Sequence, residues 1–70
     1  MKFEDVKIGM VIQDNDPRCS YRKGTVIEKG SDVEHLGRVR VNWGTSKTWV
    51  RPDRIGTESR SGYTVIVEED

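Results

Sequence analysis

Seventy residues make one domain at most, read as a single unit over residues 1–70. Nine Val and five Ile stand against one Leu and no Ala, which argues against a helical bundle or coiled coil and for a sheet. Twelve basic and twelve acidic residues cancel, so bulk charge does not advertise nonspecific nucleic-acid binding, and no stretch nears the ~18 apolar residues of a membrane span.

The opening Met1-Lys2-Phe3-Glu4-Asp5 lacks the apolar run of a secretion signal, and the leader Phe3–Ile8 reads as a turn or short edge piece. Cys19, the single cysteine, has no internal disulfide partner, which points to a reducing, cytoplasmic setting. Seven glycines then divide short runs of Val, Ile, Trp and Tyr, the pattern of several short strands joined by turns. Strand one is expected at Met10–Asp14, followed by a long polar loop, Asn15–Lys23, holding Asp16-Pro17, Arg18, Tyr21, Arg22 and Lys23. Strand two is expected at Thr25–Lys29. In the loop Gly30–Gly37, Ser31-Asp32-Val33-Glu34 has capping-box spacing, which allows one helical turn, although a plain loop is the preferred reading. Strand three follows at Arg38–Trp43 and strand four at Thr48–Arg51. Arg51-Pro52-Asp53-Arg54-Ile55-Gly56 reads as a tight 3₁₀ turn, because proline presets φ at its start and glycine permits a left-handed exit. Tyr63–Glu68 is the fifth strand.

Period-two alternation sets Val39, Val41 and Trp43 on one face of strand three. Pairing Val50 with Val41 sets Trp43 opposite Thr48, Asn42 opposite Trp49 and Arg40 opposite Arg51, with Gly44–Lys47 as the connection. The outer surface then carries Arg38, Arg40, Asn42, Trp49 and Arg51. The expected core is Met10, Ile12, Val26, Val39, Val41, Trp43, Val50, Ile55, Val65 and Val67, with Tyr63 and Ile8 sealing its ends. So small a core is best served by a closed or nearly closed barrel, which also hides strand edges.

Gly9-Met10-Val11-Ile12, Gly24-Thr25-Val26, Arg38-Val39-Arg40-Val41-Asn42-Trp43 and Trp49-Val50 with Pro52-Asp53-Arg54-Ile55 together resemble an SH3-like small β-barrel of the Tudor, KOW and Mind-bomb-repeat kind, over roughly residues 8–67. The resemblance implies an all-β, five-stranded barrel with a 3₁₀ turn before the last strand. It also implies a binding module for peptides, methylated side chains, nucleic acid or other proteins, since such barrels are seldom enzymes. The small size further resembles accessory proteins of bacteria and their phages. This chain departs from peptide-binding SH3 domains in offering only Tyr21 in its long loop, and its few aromatics suit neither a proline-rich ligand nor a methyl-ammonium cage.

No residue set identifies a reaction, so the expectation is a non-enzyme without cofactor. His35 and Cys19 sit in different loops with nothing to position them as a nucleophile and base. One Cys and one His do not make a closed zinc site. Asp14-Asn15-Asp16 alternates oxygen ligands but lacks the following Glu and the turn glycine of a calcium loop, so turn chemistry is the better reading. Glycine-rich phosphate loops are absent.

The sharper signal is the outer face. Residues 17–60 hold ten basic residues against five acidic ones. Trp49 as a stacking plate with Arg38, Arg40, Asn42 and Arg51 around it suits an anionic partner. Bases stack on aromatic rings for about 1–3 kcal/mol each, and arginines satisfy phosphates. Arg18, Tyr21, Arg22 and Lys23 extend that patch if the long loop folds toward it. The competing arrangement has Glu28 or Glu68-Glu69-Asp70 clasping these arginines and Trp49 packed under Phe3. Two partner classes follow: nucleic acid, or a protein (another copy of the chain or a host protein) anchored on Trp49 and Arg51, since Trp and Arg are enriched at hot spots.

Overall fold

A computed structural model describes residues 1–67. Five antiparallel strands form one sheet: β1 (Val11–Asp14), β2 (Lys23–Lys29), β3 (Val39–Asn42), β4 (Lys47–Val50) and β5 (Tyr63–Val67). The order across the sheet is β4-β3-β2-β1-β5, so β1 to β4 run as a meander and the last strand returns beside the first. 3₁₀ turns occupy Phe3–Asp5, Pro17–Cys19 and Pro52–Arg54, and the described residues include no α-helix. The turn expected at Arg51–Gly56 therefore forms, with Ile55 N–H donating to Pro52 O at 3.0 Å. The strand expected to reach Glu68 is described as far as Val67; Glu68 lies outside the described residues.

Alternation sorts the strands into buried and solvent faces. Met10, Ile12, Val26, Val39, Val41, Trp43, Val50 and Ile55 form the buried core as expected, and Val6 joins them. Val6 enters because the Phe3–Asp5 turn folds the leader back, and the Met1 ammonium clips it by donating to Ile55 O at 2.8 Å. Ile8 does not seal the core. It stands 59% exposed in the turn closed by Met10 N–H to Lys7 O. Val67 is also no core residue, at 49% exposed, and Val65 is half-buried. A bulge between Val11 and Ile12 slips β5, and Val67 then pairs with Val11, the first residue of β1, beyond the packed interior.

The β3–β4 register corrects the expected one by two residues. Val39 opposes Val50, Arg40 opposes Trp49, Val41 opposes Thr48 and Asn42 opposes Lys47. A tighter turn wins. Trp43 N–H donates to Ser46 O at 2.8 Å, which leaves Gly44-Thr45 as the two-residue tip. Gly44 takes φ +95°, open to glycine at the first central position of such a turn, and Asn42 Oδ1 accepts its N–H at 2.9 Å. A slip of two preserves every face and changes every rung, so Arg40 no longer faces Arg51.

Two loops complete the frame. In Gly30–Gly37 the capping box does not form. Asp32 Oδ1, one residue after Ser31, accepts the His35 N–H at 2.9 Å, and the segment is turn rather than helix. In Asn15–Lys23, Asp16 caps the Pro17–Cys19 turn through Arg18 N–H, and the Asp14-Asn15-Asp16 segment makes an Asx turn from Asp16 N–H to Asp14 Oδ1.

Candidate binding face

The corrected register sets two rungs on the solvent face of the β3–β4 hairpin: Asn42 lies beside Lys47 and Arg40 beside Trp49. Arg38 and Arg51 flank the paired residues, one just before β3 and one just after β4. Arg38 and Arg51 line one cleft of about 480 Å³ together with Lys2, with Met1, Phe3, Leu36 and Pro52 supplying its apolar part and Asp53 its acid. Arg40, Asn42 and Lys47 line a second cleft of about 390 Å³ at the hairpin tip. The Trp49 rung separates the two. Lys23 joins from β2, because Asn42 and Gly44 also border the cleft that Lys23 lines with Trp43.

These cations are lightly held. Arg40 Nη1 lies 3.6 Å from Glu28 Oε1, and its guanidinium carbon is 5.8 Å from the centre of the Trp49 ring. Arg40 Nε is nevertheless a buried donor without an acceptor. Arg51 meets Asp53 at 3.3 Å with both side chains mostly exposed. Arg38 makes no ion pair among the described residues. Exposed pairs of this kind contribute about 0–1 kcal/mol each, so a phosphate can replace the carboxylate at little cost.

Trp49 is half-buried, and its cover is His35. The two rings stack with centroids 4.1 Å apart and planes 18° from parallel. Imidazole Nδ1 lies 3.0 Å from Asp32 Oδ1. The loop is shaped for this: Gly30 N–H donates to Arg38 O, Arg38 N–H donates to His35 O, and Gly30 Cα packs so closely on the His35 carbonyl that no Cβ fits. The sequence places His35 in a loop, and its one local signal is the three-residue spacing from Asp32. Phe3 does not cover Trp49; it carries the Lys29 ammonium at 4.4 Å from its ring centre. Glu28 does pair with Arg40, whereas the clasp expected from Glu68-Glu69-Asp70 falls outside the described residues.

The remaining loop residues serve the fold. The Arg22 guanidinium lies 4.3 Å over the Trp43 ring, and its Nε is 3.4 Å from the buried Asp14 carboxylate. Trp43 is fixed further by Nε1–H donation to Thr48 Oγ1 at 2.8 Å. Arg18 is bound to Asp16 at 2.9 Å, and this partner holds the Asp16 carboxyl below the ordinary carboxylate range. Tyr21 is exposed and follows Ser20 in the left-handed region, at φ 50° and 57°, which non-glycine residues adopt at a cost. Among the described residues no hydrogen bond, ion pair or ring stack joins Arg18, Tyr21 or Arg22 to Trp49 or Arg40. Burial, then the Asp14 charge, pushes the Cys19 thiol up, away from the reactive thiolate. His35 is engaged instead with Trp49 and Asp32. Among the described residues no three His, Cys, Asp or Glu side chains gather as metal ligands.

No protein-family model matches the chain, and no curated protein or solved structure matches it significantly.

Proposed function

We propose that this chain is a non-enzymatic nucleic-acid-binding module that works through the solvent face of β3 and β4. One observation carries the reading: Arg40, Asn42 and Lys47 line one cleft beside the Arg40–Trp49 rung, and Arg38 and Arg51 line a second cleft just past the end of the same two strands. Like charges gathered in one cleft repel, so Lys2, Arg38 and Arg51 gain from an anion among them. Phosphates supply that anion, and a base supplies the partner for the indole. We also take the sheet to curl as in SH3-like barrels. The return of β5 beside β1, the 3₁₀ turn just before it and the bulges in β1–β5 and β2–β3 support that curvature.

Fluorescence anisotropy with labelled single- and double-stranded oligonucleotides tests the proposal. With four cations engaged on a single strand, the salt slope is about −2.8, so affinity falls roughly 50-fold between about 50 and 200 mM salt. Trp49→Ala combined with Arg40→Ala abolishes binding while the fold, followed by circular dichroism, is kept. Absence of binding at low salt, with self-association or a captured protein instead, transfers the face to the protein-interaction reading. Val33 and Leu36, 97% and 73% exposed on the neighbouring loop, are the apolar anchors that such a partner would use.

A further inference from the structure

We infer that Trp49 is the seat of a single unpaired nucleobase, and that His35 occupies this seat in the free protein. The inference rests on the nucleic-acid reading and narrows it to single strands. A base inside a duplex has both faces covered by its neighbours, so it offers no face to an indole fixed in a sheet unless it is first unstacked at a cost. An unpaired base offers one freely. Its flanking phosphates then fall toward Arg38 and Arg51 on one side of the Trp49 rung and toward Lys47 on the other.

The geometry around His35 is that of a replaceable occupant. With ring centroids 4.1 Å apart the two rings are in contact, so a base does not slip between them; it takes the place of the imidazole. The ring itself is held by the stack and by Asp32, whose carboxylate is largely exposed and therefore a weak partner. The backbone behind it is held more firmly, through Gly30 N–H to Arg38 O at 2.8 Å and Arg38 N–H to His35 O at 3.0 Å. Rotation about the His35 side-chain bonds therefore clears the indole without remaking the loop.

His35→Ala tests this, since the residue lies outside the core and its removal leaves the fold standing. The probes are an unstructured single-stranded oligonucleotide and the matching duplex, with acrylamide quenching of tryptophan emission as a second readout; Trp43 is buried, so quenching reports Trp49. The variant is expected to bind the single strand about 2- to 10-fold more tightly, the equilibrium worth of one aromatic pair. Duplex binding stays unchanged, and quenching of the free protein increases. Weaker or unchanged single-strand binding in His35→Ala, or a wild type that prefers duplex, overturns the inference. If single-strand binding then still falls with Arg38→Ala and Arg51→Ala, the nucleic-acid reading survives without the seat. If neither wild type nor variant binds either oligonucleotide at low salt, the underlying reading fails and takes this inference with it.

Discussion

Gly24 is the residue whose replacement tests the packing behind the proposed binding face. It lies in β2 opposite Ile12 of β1. A Cβ added there would stand 2.5 Å from Val41 Cγ1 and 2.6 and 2.9 Å from Trp43 Cε3 and Cδ2. None of these atoms is free to yield. Val41 is fully buried, and Trp43 is pinned by the Arg22 guanidinium on its ring and by its bond to Thr48. Forcing a methyl into a filled core costs about 1–3 kcal/mol, and the reduced freedom of the unfolded chain returns about 0.4–1 kcal/mol. The net loss for Gly24→Ala is then about 1–2 kcal/mol. Domains this small rarely hold more than about 3–5 kcal/mol, and each kcal/mol shifts Tm by about 4–8 °C. Calorimetry should therefore place the Gly24→Ala transition about 5–15 °C below wild type, with an altered near-ultraviolet dichroism signal from the displaced Trp43. A variant melting at or above wild type with an unchanged aromatic signal would refute the packing argument.

Other outcomes follow from the same contacts. Asn15 donates through Nδ2 to Thr57 O and Ser59 O and accepts from Thr64 Oγ1, tying the end of β1 to the loop before β5 and to β5 itself, so Asn15→Ala should cost about 0.5–1.5 kcal/mol in urea unfolding; a loss within error of zero would mean that these bonds merely replace water. Half-burial, then the Asp14 charge, raises the Tyr63 phenol above its ordinary value. The unfolded chain ionises first, so stability should decline as pH climbs from about 10 through the raised value. Tyr63→Phe should flatten that decline, and an identical slope in melts of both proteins would contradict the assignment. Cys19, pushed up by burial and Asp14, should react with iodoacetamide at neutral pH more slowly than free cysteine; an equal or faster rate would count against that environment.

The parts of the fold legible in the sequence were those that repeat locally. Alternation in Val39-Arg40-Val41-Asn42 and around Ile12 and Val26 assigned faces, and Pro52 with Gly56 marked the 3₁₀ turn. Rung assignment was not legible, because side chains repeat every two residues and a slip of two leaves each on its own face. The choice fell to turn energetics at Gly44-Thr45, and the expected four-residue connection lost to the shorter tip. Val6 was hidden because its burial depends on a turn that the Met1 ammonium and Ile55 stabilise from far along the chain. The shared outward face of Arg40, Asn42 and Trp49 was readable, since it needs only the alternation of the strands. The His35 stack was not, because it joins a loop to a strand fourteen positions later and depends on the close approach of Gly30.

The most direct test of the proposed binding face is a ¹H–¹⁵N correlation titration of the protein with a single-stranded oligonucleotide at low salt. The Trp49 indole signal and the amides of Arg38, Arg40, Asn42, Lys47 and Arg51 should shift together, with Lys23 at the margin and Thr64–Val67 still. Shifts centred on β5 or on Arg18 and Tyr21, with the Trp49 indole unmoved, would contradict it.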